Sequence, residues 1–490
     1  MDKTNNKLEQ YRSFPFLSDL RIYEKSVNEI SGITILMADA GEEDIFVSIN
    51  GNPGFDAIEY TENGISYYKA ALTHKNAEVL RKLFPYTAPV AALKSKRTFG
   101  MGDRLGTACI GHIRAIEKYD VIPVFAQQSI RELNLTHRTY DDVLDSVTFA
   151  VFRENFTRGF IADGDHLKTP EEIEYALKSG FTMITLDCSE YIRNDIENLS
   201  DDEVRAEYIS DPVIENRYLD KTFNIEGHSL YFDERSLKRM VLIYGRAIEY
   251  IRRIYNEYIK PSGVDFEISI DETATPTTPL QHFFVANELT MAGISFATMA
   301  PRFCGEFQKG IDYIGDLKQF EEEFDIHAAI ARHFGYKISV HSGSDKFSVF
   351  PAIGEKTHGV FHLKTAGTSW LEAVKLIAIK HPAFYREIHS YAIEVFNEAI
   401  RYYHVTTNLN NIPDINELTD SELPLLFNNN DSRQLIHITY GLILSATNDD
   451  GSFRFKNRFY RILRENAEFY AELLEKHLGR HLALLCDSIK

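Results

Sequence analysis

From about residue 96 the chain repeats one pattern: a short apolar run, a polar or glycine-rich tip, then an amphipathic stretch of helical period. Eight apolar runs carry it, at 98–100, 121–125, 159–162, 181–186, 265–270, 294–299, 336–340 and 360–363. Strands that alternate with helices pair in parallel, and eight such units close a (β/α)8 barrel of the TIM type. The punctuation agrees. Gly180, Gly293 and Gly335 stand just before strands, where helices stop. Thr169-Pro170-Glu171-Glu172 and Thr278-Pro279 pair a capping residue with proline at the first helical position.

Two regions flank the barrel. Residues 1–95 mix strand-like runs at 32–36 and 44–49 with turn residues at 50–54, which predicts a small α/β lobe. Residues 371–490 read as helical throughout, with clear period at 371–377 and 457–485. The expected domains are therefore a lobe at 1–95, a catalytic barrel at 96–370 and a helical region at 371–490. An insertion at 188–264 breaks the barrel spacing. It holds an acidic stretch at 200–203 and an amphipathic helix near 236–257. A lid over the barrel mouth and a decorated connection without catalytic part both fit it.

Composition narrows the partners. The 490 residues are 44% hydrophobic and 26% charged, as in an ordinary globular protein, with a formal net charge of −19. That charge argues against nucleic acid and against an anionic membrane surface; a small anionic substrate stays open, since a local cluster of cations decides it. A homo-oligomer also stays open. Cys109, Cys188, Cys304 and Cys486 are scattered without CxxC spacing, which predicts free thiols in a reducing cytoplasm. The polar start, residues 1–7, predicts no secretory signal, and no apolar run has the length of a membrane span. A cytoplasmic enzyme is the expectation.

The strand ends are polar all round. In order they offer Asp103 and Arg104; Gln127, Gln128 and Ser129 with Arg131; Asp165 and His166; Asp187; Glu267, Asp271 and Glu272; Arg302, with Glu306 and Asp312 in its loop; His341 through Lys346; and Lys364 with Thr365. Barrel enzymes place their chemistry on this rim. Taken alone, Asp165-His166 fits either a metal and proton-transfer site or aspartates that cap backbone donors. Alternation along the fifth strand puts Glu267 on the face opposite Phe266 and Ile268, so it points into the barrel. A carboxylate there must be paired, protonated or metal-bound. His166 and His341, with one or two carboxylates, suit a divalent transition metal with open positions, and Glu306 or Asp312 could complete the set. Arg104, Arg131, Arg302, Lys346 and Lys364 are cations for an anionic substrate, with Gln127, Gln128 and Asp271 as polar contacts. The glycines at 100–106 lack the final gap of a dinucleotide fingerprint, and no acidic residue ends the next strand, which argues against NAD.

At these residues the sequence resembles the tagaturonate (tagaturonate/fructuronate) epimerase family. The matching stretches are 99–106, 125–129, Ala162-Asp163-Gly164-Asp165-His166, Asp271-Glu272-Thr273, Lys309-Gly310-Ile311-Asp312-Tyr313, 341–348 and 364–369. The resemblance implies interconversion of D-tagaturonate and D-fructuronate with a bound divalent metal such as zinc, manganese or nickel. It also implies Asp165 as proton acceptor, Glu267 as proton donor, and His166 and His341 as metal ligands, with the third ligand open between Glu306 and Asp312. Tagatose and fructose are further substrates to consider. The two ketouronates differ at a carbon β to both the ketone and the carboxylate, whose C–H is not acidic. Inversion then needs transient oxidation or retro-aldol cleavage and re-addition, and the second is expected here. The competing readings are a metal-dependent ketose isomerase or aldolase, and a sugar-acid-binding protein without catalysis.

Overall fold

The computed structural model describes residues 14–365 and 367–489; residues 1–7, Ala366 of the 364–369 stretch and the final lysine lie outside them. Eight parallel strands close a barrel: β1 (Arg97–Met101), β2 (Ile122–Ser129), β3 (Ile161–Leu167), β4 (Met183–Asp187), β5 (Asp265–Ile270), β6 (Thr298–Pro301), β7 (Lys337–Val340) and β8 (Phe361–Thr365). Each pairs with the next in sequence, and β8 returns to β1 with Phe361 opposite Arg97 and Thr365 opposite Met101. The barrel read from the hydrophobic pattern is the barrel observed.

Two strands run past their apolar stretches. β2 continues through Gln127-Gln128-Ser129 and β3 through Asp165-His166-Leu167, because the ladder between them persists: Gln127 faces Asp163 and Ser129 faces Asp165. Residues expected at strand tips are thus strand residues, held by backbone hydrogen bonds. Outside lie the helices Cys109–Ile116, Pro170–Lys178, Pro279–Met291, Leu317–Phe334, Phe350–Lys356 and Thr368–Lys380. Thr169 with Glu172 forms the reciprocal cap that its spacing predicts, and the cap expected at Thr278 is made reciprocal by Gln281.

The insertion holds the helices Asp201–Glu207 and Pro212–Tyr218, a hairpin of Lys221–Ile225 with His228–Phe232, and the helix Glu234–Ile254. The C-terminal helices share one apolar core with Thr368–Lys380, in which the Trp370 ring stacks on Phe459 at 5.0 Å. Among the described residues no disulfide forms, and no helix is long and apolar enough to cross a membrane.

The chain divides into two compact units, one ending at Val90 and regaining 138–160, the other comprising 91–137 and everything from Ile161. The first is an antiparallel sheet with two helices, His74–Leu83 and Tyr140–Glu154. Phe46 stacks on Phe55 at 5.1 Å and meets the edge of Phe152 at 5.8 Å, while Arg81 pairs with Asp145 at 2.8 Å. All the candidate site residues fall in the second unit.

Candidate active site

A bulge in β3 builds the centre of the site. Gly164 pairs with Ile184 and Leu167 with Leu186, so Asp165 and His166 together oppose one residue, Thr185. His166 takes a left-handed backbone, φ 54°. Strict alternation would send one of two consecutive side chains outward; the bulge lets both line the cavity at the barrel mouth.

Lys364, from β8, knits the interior carboxylates together. Its ammonium lies 2.6 Å from Asp163, 2.5 Å from Asp165 and 3.1 Å from Glu267, and it donates to Thr185 Oγ1 at 2.7 Å. Burial disfavours the charged form of every member, and the mutual attraction overrides it unequally. Lys364 is held well above the ordinary lysine range by Asp163, Asp165 and Glu267. Burial works against Asp165, but Lys364 and His166 bring it down to about 2. For Asp163 burial wins, and its pKa rises to about 6 despite Lys364. Glu267 is fully buried, and burial is outweighed by Lys364, His341 and His362, so it stays ionised. Its Oε1 accepts from His341 Nε2 at 2.8 Å and its Oε2 from Thr298 Oγ1 at 2.6 Å.

Beside this knot the rings of His166 and His341 meet edge to face, with centroids 4.8 Å apart. His341 Nδ1 lies 3.2 Å from Asp271 Oδ2, and His166 Nδ1 lies 3.7 Å from Asp187 Oδ2. Donor atoms of His166, Asp271 and His341 all fall within 4.8 Å of one another, close enough to share an ion. Four carboxylates (Asp165, Asp187, Asp271 and Glu267) surround these two imidazoles. Burial opposes charge on His166, but Asp165, Asp187 and Asp271 raise it to about 10. The pocket therefore favours positive charge at the imidazoles, whether carried by protons or by a cation.

These groups open onto a cavity of about 280 Å³. Asp165, His166, Asp271, His341 and Lys364 form one part of its wall; Arg104, Arg131, Arg302, Lys309, Tyr403 and His404 form another. No residue of 188–264 reaches that wall.

The profile of the family described as tagaturonate epimerase matches residues 23–485. The chain belongs to that family. A curated relative, tagaturonate/fructuronate epimerase of Thermotoga maritima, is 42% identical over 474 residues, covering 95% of this chain and 96% of its own. Two crystal structures of fructuronate-tagaturonate epimerase UxaE from Cohnella laeviribosi, one native and one with a glycerol complexed, superpose with a TM-score of 0.93 at 48% identity; each comparison covers 99% of both chains.

Within this epimerase fold the sequence-predicted residues separate. Asp165, His166, Asp271, His341 and Lys364 converge on one wall, with Gln127 nearby, its Nε2 donating to the Thr365 carbonyl at 3.2 Å. Gly100 lies under that glutamine: a Cβ there would sit 1.9 Å from Gln127 Oε1. Gly100, inside β1, thus admits a side chain from the neighbouring strand. Glu267 stays behind the wall and touches it through His341 and Lys364. Neither Glu306 nor Asp312 joins the histidines. Glu306 lines the cavity elsewhere, 3.7 Å from Arg302, and Asp312 accepts from Ser348 Oγ at 2.9 Å. Gln128 lies outside the wall and donates to Glu132 at 3.2 Å. Lys346 is buried, its ammonium taken by the carbonyls of Gln308, Ile311 and Ser344 at 2.7, 2.5 and 2.9 Å. Arg302 lines the cavity with one nitrogen on the Thr273 carbonyl. Lys309 and Tyr403, both in the wall, carry no signal in composition or spacing; only the stretch 309–313 hinted at the former.

Proposed function

We propose that this protein interconverts D-tagaturonate and D-fructuronate by retro-aldol cleavage and re-addition at the carbon β to the ketone. Family membership makes it an isomerase of the epimerase class acting on sugar acids. What supports the mechanism is the contact of Asp165 with Lys364, at 2.5 Å, in the cavity wall beside His166, Asp271 and His341. The donor set fits a divalent metal: two imidazoles and a carboxylate, with the negative charge around them in excess. Held by His166, Asp271 and His341, it would supply Lewis acidity to the ketone and an adjacent hydroxyl.

The chain's own residues move the protons. Asp165 accepts the proton of the C4 hydroxyl as the C3–C4 bond breaks, its electron pair passing toward the C2 carbonyl. The products in the cavity are a three-carbon enediolate and a three-carbon aldehyde acid. When the aldehyde turns and the enediolate adds to its other face, the new alkoxide takes a proton back. Lys364, in contact with Asp163, Asp165 and Glu267 together, is the group at the wall through which that proton is shared. Glu267 acts from behind it as a fixed negative charge and proton acceptor, a different part from the direct donor that resemblance implies.

Turnover of either ketouronate in deuterium oxide tests this. Inversion without deuterium at the carbon next to the ketone, together with trapped dihydroxyacetone or tartronate semialdehyde, is the expected result. Tightly bound nicotinamide in active protein would overturn it, and deuterium next to the ketone would point to an isomerase instead.

A further inference from the structure

We propose that Lys309, with Arg131 and the Nη2 of Arg104, seats the carboxylate of the sugar acid and thereby sets which carbon is inverted. This rests on the proposed function and deepens it, since it says how the same cavity recognises an acid.

Lys309 lies in the cavity wall, where its ammonium donates to Ser342 Oγ at 3.0 Å. Arg131 is exposed on the same wall, over the Tyr403 ring at 4.9 Å, with one nitrogen 3.4 Å from the Tyr402 carbonyl. Among the described residues, neither cation has a carboxylate within 4 Å. Arg104 is buried beneath them. Its Nε pairs with Glu132 at 2.9 Å and its Nη1 donates to the His437 carbonyl at 3.1 Å, while Nη2 is buried without a hydrogen-bond partner. Three cations thus face one cavity, and the one ion pair any of them makes is that of Arg104 with Glu132. Burial first, then the charge of Arg131, lowers the proton affinity of Lys309. An anion from outside would satisfy the stranded donors and relieve the repulsion, and carboxylates suit such paired cationic donors.

The surroundings fix this seat against the reactive wall. Lys346 ties down the carbonyls of Gln308 and Ile311 on either side of Lys309. Ser342, which Lys309 grips, directly follows His341. Asp165 is near enough to act on the Lys309 charge. In a ketouronate the inverted C4 lies midway between the C2 ketone and the C6 carboxylate. With the ketone at His166, Asp271 and His341 and the carboxylate at Lys309, C4 comes to rest at Asp165.

The test uses Lys309→Met and Arg131→Met in the full chain, with two readouts. In turnover, KM for the ketouronate should rise about 10- to 100-fold in Lys309→Met, the loss expected for one charge-assisted contact, with a smaller change in kcat. In calorimetry, independent of turnover, gluconate should bind the wild-type protein at least about tenfold tighter than glucitol, which differs in that one carboxylate, and both variants should lose the preference. Lys309→Arg should restore it. A structural defect would weaken both ligands alike and move kcat. Should Lys309→Met fail to fold, Arg131→Met, at an exposed position, carries the same readouts. Equal binding of gluconate and glucitol by the wild type, or an unchanged preference in both Met variants, overturns the proposal. Wild-type protein that prefers gluconate yet inverts no ketouronate overturns the function while leaving the anion seat standing.

Discussion

At the scale of single residues, the site works by setting neighbouring groups at different proton affinities. Asp165 is held down near 2 and Asp163 up near 6, although both touch the same ammonium. Asp165→Asn keeps the volume and removes the proton acceptor, so kcat should fall about 10²- to 10⁴-fold with KM changed little, read by steady-state kinetics. Lys364→Met should cost more than activity. It leaves Asp163, Asp165 and Glu267 buried without their shared cation, and breaking such a cluster costs about 3–5 kcal/mol, measurable by denaturant unfolding. Chelation should abolish turnover and added divalent ions restore it, with metal analysis showing the loss of bound ion in His341→Gln.

At the scale of elements, the eight strands were legible because each is a compact apolar run bounded by turn and cap residues, and those signals are local. Glu267 was legible for the same reason, as an acid set inside a strand of strict alternation. The bulge in β3 was not. Alternation places Asp163 and Asp165 together and turns His166 away; only the pairing of β3 with β4 shows the two-against-one register that brings His166 in. Asp271, an expected substrate contact, stands with the histidines because His341 approaches from β7, a juxtaposition of distant segments that spacing does not encode. Lys346 misleads in the opposite sense: a cation on a polar tip whose donors are spent on three carbonyls. The β7 tip that carries His341 is also held from outside. Asp345 pairs with Arg433 at 2.8 Å and His477 at 3.0 Å, both from the C-terminal helices. Arg433→Met should therefore lower kcat and thermal stability together, although residue 433 lies outside the cavity wall. Gly100→Ala should behave likewise, since its methyl group would collide with Gln127.

At the scale of the whole molecule, burial holds six histidines below their ordinary affinity. His112 and His389 fall to about 4, His327, His362 and His481 to about 3, and His282 well below the model-peptide value. An unfolded chain binds protons at these positions from about pH 6.5 downward while the folded one refuses them. Through these six, stability is unaffected above that pH and is lost as pH falls through 6.5 toward 4. His389 isolates the effect, since neither ring nitrogen has a hydrogen-bond partner and burial is the cause of its shift. His389→Leu should remove of order 3 kcal/mol of the acid sensitivity between pH 6.5 and 4, read as a flatter profile of unfolding free energy against pH.

The first compact unit is assembled from two stretches of chain separated by β1, β2 and the segments around them. Phe152 and Phe149, which complete its apolar layer beside Phe46 and Phe84, belong to a helix that a ribosome releases only after the first two barrel strands. The lobe cannot close while it is being made first. Its synthesis and its folding are out of order, and for that interval the sheet face around Ile35, Met37 and Phe46, covered only in part by Leu80 and Phe84, must wait for residues 140–154. A fragment cut at residue 90 would stay in that waiting state, and so would a barrel expressed without its first ninety residues, holding an apolar helix with nothing to cover.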